Sequence, residues 1–152
     1  MFKKMAFIFI IGLLITCGSN DATYVTKEVI KSPDAPAAIG PYSQAIKVGH
    51  TLYCSGQIAI DPQTGELVTE SIEAETEQVL ENLGAVLREA GMDFSDVVQA
   101  TVYMTDMENY KKINDVYGQY FTTNPPSRAA VQVANLPKYV NVEIACIAVK
   151  AK

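Results

Sequence analysis

The spacing of apolar residues switches repeatedly between a period of two and a period near 3.6, and each switch predicts an element. Residues 24–30 are rich in β-branched side chains and predict a first strand. Residues 32–41 carry three prolines and one glycine, so they predict an ordered loop. Residues 43–48 and 51–55 flank Gly49-His50, a two-residue link that predicts a hairpin. Asp61-Pro62-Gln63-Thr64-Gly65 is a turn signal. The clearest helix covers residues 71–90, where Ile72, Val79, Leu80, Leu83, Val86 and Leu87 share one face. Glu70, Glu73 and Glu75 suit the positive end of its dipole, and Gly91 supplies its stop. Residues 97–104 predict a strand. Asp106 is the expected N-cap of a second helix through Phe121, with Tyr110, Ile113, Tyr117, Tyr120 and Phe121 mostly on one side. Asn124-Pro125-Pro126 ends it. Residues 129–133 and 140–149 predict the last strands, joined across Leu136-Pro137-Lys138. The order β-β-β-α-β-α-β-β predicts an α+β fold: one mixed six-stranded sheet with two helices on one face. The other sheet face needs cover, which self-association would supply.

The start of the chain departs from this pattern. Lys3 and Lys4 precede an apolar run, residues 5–15, broken only by Gly12. A membrane-spanning helix needs about 20 residues, so this run fits the core of a secretory signal instead. Leu14-Ile15-Thr16-Cys17 resembles the lipobox of bacterial lipoproteins, in which the leader is cut before a lipidated cysteine. An uncleaved anchor or a simple export signal would also export the domain. The expected division is a signal peptide over residues 1–16, a lipidated Cys17 with a polar tether to residue 24, and one domain over residues 25–152. The expected location is the cell envelope, on the periplasmic side or the cell surface. The 152 residues suit one domain with a sizeable core.

Charge narrows the partners. The chain carries 12 Lys+Arg against 17 Asp+Glu, a net charge of -5. Without Lys3 and Lys4 the exported part stands at 10 against 17, or -7. That balance argues against nucleic acid, which basic surfaces bind. It also argues against adhesion to an anionic bilayer other than through a lipid. One histidine, His50, and three scattered cysteines argue against a structural zinc site, so no metal is expected.

Two charges stand out. From residue 116 to 137 the only charged side chain is Arg128, one of two arginines in the chain. Glu143 lies in an apolar strand, where alternation puts it with Ala145, Ile147 and Val149. Val142, Ile144, Cys146 and Ala148 form the other face. Neither face looks solvated, so Glu143 is expected to be partly buried and to need a partner or a raised pKa. Two readings stay open. One is a buried Arg128–Glu143 pair that fixes strand register. The other is an anion-binding arginine beside a carboxylate base.

Several separated segments point further. Ala37-Ala38-Ile39-Gly40-Pro41-Tyr42-Ser43-Gln44-Ala45, Ser55-Gly56-Gln57-Ile58, Asp61-Pro62-Gln63-Thr64-Gly65-Glu66, Pro126-Ser127-Arg128-Ala129-Ala130-Val131, Leu136-Pro137 and Val142-Glu143-Ile144 occur in this order. Together they resemble the RidA (YjgF) family of enamine/imine deaminases from about Lys31 to the C-terminus. The resemblance implies a chorismate-mutase-like fold assembled as a homotrimer, with the three sheets lining a central barrel and sites between subunits. It implies hydrolysis of 2-iminoacids and 2-enamines such as 2-aminoacrylate to 2-ketoacids and ammonia, with no metal or organic cofactor. By carry-over, Arg128 would clamp the substrate carboxylate and Glu143 would activate water. Tyr42 would close the cleft, Ser55 and Gly56 would shape its floor, Asn114 would lie near the ligand, and the backbone of Ala130 would face the imine. Many relatives have a cysteine where this chain has Ala130.

Plainer readings stand beside these. Tyr42 can be a packed turn aromatic, Ser55-Gly56 a bulge, and Asn114 a helix-surface side chain. The tyrosines of the second helix can be packing, and His50 solvated. Cys54 and Cys146 can be inert strand thiols, although export permits a disulfide. Two further functions are weighed: non-catalytic binding of small carboxylates or ketoacids in the inter-subunit cleft, and, less favoured by the charge, endoribonuclease activity.

Overall fold

The structure is a computed structural model, and it describes residues 25–151. The expected leader, Cys17 and the tether lie outside those residues. Six strands and two helices follow in chain order: β1 Lys27–Ile30, β2 Ala45–Val48, β3 Thr51–Gln57, α1 Ile72–Glu89, β4 Val97–Met104, α2 Tyr110–Tyr120, β5 Ser127–Gln132 and β6 Val142–Val149. They form one sheet in the order β1-β2-β3-β6-β4-β5. Every pair is antiparallel except β4 with β5, which run parallel and are joined through α2. The mixed six-stranded α+β architecture expected above is the one observed.

Local chemistry sets the ends of α1. The Ser71 side chain caps its start by accepting from the Ala74 amide, and Glu73 and Glu75 occupy the first turn. Its end is a Schellman motif: Gly91 takes φ +72°, its amide donates to Arg88, and the Met92 amide donates to Leu87. Asp106 caps a 3-10 turn, Met107–Asn109, rather than the second helix itself. Asn109 is already helical in φ/ψ, so α2 grows out of that turn without its own side-chain cap.

Both helices bury their apolar stripes on one face of the sheet. Leu80, Leu83, Val86 and Leu87 of α1 meet Leu52, Val102 and Ile144, and Ile113 and Tyr117 of α2 join them. Side chains of this size, buried completely, each stabilise by roughly 1.5–3 kcal/mol. The burial of β6 alternates: Val142, Ile144, Cys146 and Ala148 are buried, while Glu143, Ala145 and Ile147 are half-covered. The uncovered sheet face also presents Val29, Tyr53 and Val131.

β6 starts at Val142, later than expected, because a 3-10 turn over Pro137–Tyr139 intervenes. Lys138 and Tyr139 both take φ +59°, a left-handed conformation that side chains with a Cβ resist. Tyr139 is also 87% exposed, so its ring recovers little by burial. Tyr139→Gly is therefore expected to stabilise the fold by about 1 kcal/mol, after the glycine's own entropy cost. Urea unfolding would check this: a higher midpoint with unchanged slope is the expected result.

Candidate active site

A change of register between β3 and β6 creates the site. Cys54 pairs with Cys146 and Gln57 with Ile144, so Ser55 and Gly56 together face the single Ala145. This is a β-bulge, and it turns the strand toward Glu143. Gly56 is required there. A Cβ at Gly56 would overlap Glu143 Oε1 and stand 2.6 Å from Glu143 Cδ. The missing side chain lets the carboxyl group lie against the strand.

A cleft of about 550 Å³ opens over this point, lined by Gly40, Tyr42, Ser55, Gly56, Pro137 and Glu143. The Ser55 hydroxyl donates to the Ser43 carbonyl at 2.7 Å, and the Ser55 amide to the Gln44 carbonyl at 3.0 Å. Tyr42 folds back so that its hydroxyl accepts from the Ile39 amide at 3.2 Å. Both side chains are thus held by the loop before β2. Burial pushes the Glu143 carboxyl above its usual range. No ion pair to Glu143 exists among the described residues.

Arg128 lies elsewhere. It stands on β5 in register with Ala100, which is itself opposite Cys146. That row faces the helices. Glu143 is opposite Tyr103, and its odd spacing from Cys146 puts it on the uncovered face. The intrachain Arg128–Glu143 pair weighed from the sequence does not form: the pleat sends the two side chains to opposite faces, with β4 between their strands. The guanidinium carbon instead sits 4.6 Å from the Tyr117 ring centroid and 5.9 Å from that of Tyr110. Its Nη2 donates to the Tyr110 hydroxyl at 3.4 Å. Asn114, and after it Arg128, lower the Tyr110 pKa. Burial raises Tyr117 to about 12 against the pull of Arg128. The Tyr117 hydroxyl is buried without a hydrogen-bond partner among the described residues. Ala130 follows on the same face of β5, at the edge of the sheet, where one side of the strand backbone is unpaired.

The candidate residues therefore fall into two groups. Tyr42, Ser55, Gly56 and Glu143 converge on the cleft. Arg128, Asn114 and Ala130 gather at the β5 edge beside α2. A single chain does not bring the groups together. Two tyrosines of α2, read above as packing alternatives, are the aromatic walls that hold Arg128.

Three buried polar side chains were missed from the sequence. Gln44 accepts from the Ser32 amide at 2.7 Å and donates to the Pro36 carbonyl at 2.7 Å, which fixes the loop before the cleft. Asn82 donates to the carbonyls of Ile58 at 3.0 Å and Ile60 at 2.8 Å, which fixes the segment after the bulge. The Glu75 carboxyl is fully buried and accepts from the Asn141 amide, the Asn141 side chain at 2.9 Å and the Val142 amide at 3.0 Å. It anchors the backbone one residue before Glu143. Their signal was positional: Glu75 and Asn82 interrupt the apolar stripe of α1, where a polar residue must find a buried partner.

Fold and cleft together define a small α+β protein whose sheet carries a compact polar site suited to a small molecule. The Endoribonuclease L-PSP family profile matches residues 32–150. The human 2-iminobutanoate/2-iminopropanoate deaminase is 47% identical over 124 residues, covering 82% of this chain and 90% of that protein. A RutC family protein of Pyrococcus horikoshii is 52% identical over 124 residues, covering 82% of this chain and 98% of that protein. Among solved structures, Escherichia coli TdcF with bound serine superposes with a TM-score of 0.79 at 40% identity, covering 82% of this chain and 99% of TdcF. RidA from an Antarctic Psychrobacter gives 0.79 at 46% identity, covering 81% and 99%. The chain belongs to the RidA/YjgF family, the group described as Endoribonuclease L-PSP.

Glu75→Ala would strand two backbone amides and the Asn141 side chain in the interior. The expected cost is about 2–5 kcal/mol, enough to lower the melting temperature by roughly 5–15 °C. Thermal unfolding followed by circular dichroism would measure it, and an unchanged midpoint would show that Glu75 anchors nothing.

Proposed function

We propose that this protein hydrolyses 2-iminoacids and their 2-enamine tautomers, such as 2-aminoacrylate, to 2-ketoacids and ammonia. The observation that carries the reading is the Glu143 carboxyl, held over Gly56 in a cleft and raised by burial. A buried carboxylate with a raised pKa is a stronger base toward water. It would deprotonate the water that attacks the imine carbon, and the resulting tetrahedral carbon would then expel ammonia. Arg128 would bind the substrate carboxylate through its planar fork. Packing against Tyr110 and Tyr117 pre-orients that fork. Tyr42 would cover the substrate, Ser55 and Gly56 would floor the cleft, Asn114 would hold Tyr110 beside the arginine, and the free backbone edge at Ala130 would face the imine. None of these roles calls for a metal or organic cofactor.

The placement of Arg128 and Glu143 on opposite faces gives this reading a specific form. A complete site would need Arg128 from one subunit and Glu143 from another, in a homotrimer whose barrel covers the exposed sheet face. The apolar character of that face supports this assembly. Similarity to the human deaminase supports the substrate class. A second reading, binding of a small carboxylate without turnover, draws on the bound serine in the TdcF structure. Ketoacid binding by calorimetry with no turnover would select it. The charge of -7 on the expected exported part opposes a ribonuclease role.

Iminoacids generated in situ by an amino-acid oxidase, with semicarbazide competing for them, provide the assay. Arg128→Ala is expected to lose roughly a hundred- to ten-thousand-fold in kcat/KM, from two charged hydrogen bonds. Glu143→Gln is expected to lose activity comparably. Mixed assemblies of these two variants should regain part of the activity, because some interfaces then combine an intact Arg128 with an intact Glu143. No regain would refute the shared site, and full activity of either single variant would refute the mechanism.

The base must be ionised to act, so the acid limb of the rate profile should lie above the ordinary glutamate value of about 4.3. The linkage has a definite sign. A carboxyl raised in the folded state favours folding below its unfolded pKa, and that contribution is lost as pH rises through the raised value. Glu143→Gln should therefore flatten this decline in stability while abolishing turnover.

We also propose that the domain is exported as a lipoprotein through Cys17 and held at the cell envelope on the periplasmic side or the cell surface. The apolar run before Leu14-Ile15-Thr16-Cys17 supports this. Mass spectrometry of the mature N-terminus should find an acylated Cys17, and an intact Met1 would exclude it.

A further inference from the structure

β3 and β6 place two thiols side by side. Cys54 and Cys146 are register partners on these antiparallel strands. Both are buried against the helices. Both are free thiols in this structure. Directly opposed residues in antiparallel strands stand about 4.5 or 5.5 Å apart at Cα, according to the type of pair. A disulfide accepts about 4.4–6.8 Å, so the backbone spacing suits a bond without rearrangement of the sheet.

We propose that Cys54 and Cys146 are an oxidation site, closing to an intramolecular disulfide when the chain folds in the presence of a disulfide-donating oxidant. One cysteine thiolate attacks a sulfur of the oxidant's disulfide and expels a thiolate. The second cysteine then attacks the mixed disulfide and expels the remaining one. The pair loses two electrons and two protons, and the oxidant leaves as two thiols. The geometry also sets the timing. The neighbouring Cys54, together with burial, pushes the Cys146 thiol up, so little thiolate exists there once the sheet has closed. Exchange therefore belongs to folding, and the finished bond is shielded from reductants by the same burial. The export proposed above would bring the folding chain into an oxidising compartment that holds such an oxidant.

The bond has a structural consequence for the cleft. It would join β3 at the residue before the Ser55-Gly56 bulge to β6 three residues beyond Glu143. These two strands carry the base and the glycine that admits it.

The full chain would be reduced, unfolded and refolded with a mixture of oxidised and reduced glutathione. It would then be alkylated and digested with trypsin without reduction. Cys17, Cys54 and Cys146 fall on different tryptic peptides, since Lys27, Lys47, Arg88 and Lys138 separate them. The expected product is peptide 48–88 linked to peptide 139–150, two hydrogens lighter than the sum and split by reduction. Alkylation of both cysteines after refolding would overturn the proposal, as would linkage of either to Cys17 or to another chain. The linked protein should also melt roughly 5–15 °C above protein refolded under reductant. That difference should vanish in Cys146→Ala, and an unchanged melting temperature would overturn the clamp on the cleft strands.

Discussion

The pleat of β6 governs this molecule. Successive side chains on a strand point to opposite faces, so Val142, Ile144, Cys146 and Ala148 must enter the core if Glu143, Ala145 and Ile147 face away. Four buried apolar residues hold that register, because a slip of one position would expose all of them and bury Glu143. The carboxyl group is thus placed on the uncovered face by the packing of its neighbours. β6 also lies in the interior of the sheet, between β3 and β4, so both its edges are hydrogen-bonded. A side chain on such a strand moves little.

Buried polar contacts complete the frame. Gln44, in the loop before β2, and Glu75 and Asn82, on α1, each reach a segment beside the cleft and satisfy backbone groups that the sheet leaves unpaired. All three side chains are buried, where an unmatched amide or carbonyl costs about 1–3 kcal/mol. Segments that would otherwise be mobile loops are fixed against α1 and β2. The strained pair Lys138 and Tyr139 lies between Pro137, which lines the cleft, and Asn141, whose backbone Glu75 anchors.

Arg128 is prepared differently. It has no carboxylate partner among the described residues, and two tyrosine rings flank it. Aromatic faces orient a guanidinium while leaving its N–H groups available to an anion. A salt bridge would have oriented it as well, but it would have filled the fork. The absence of other charges for more than ten positions on its N-terminal side removes competing anions from the same stretch of chain.

Much of this was legible in the residue pattern. The element order, the six-stranded mixed sheet, the Gly91 stop of α1 and the partial burial of Glu143 all follow from the residue pattern, which local backbone geometry reads directly. The Ser55-Gly56 bulge was legible as an alternative, since glycine in a strand marks close approach. The relation between sites was not. Whether Arg128 meets Glu143 depends on which strands pair and on the parity of their register, and neither is encoded within either segment. The same holds for Glu75, whose partners lie far along the chain, and for Cys54 with Cys146, which become neighbours only through the β3–β6 pairing. Local sequence determined which elements form and which side chains carry chemistry. Tertiary structure alone decided which of them meet, because pairing and register arise from burying the whole sheet at once.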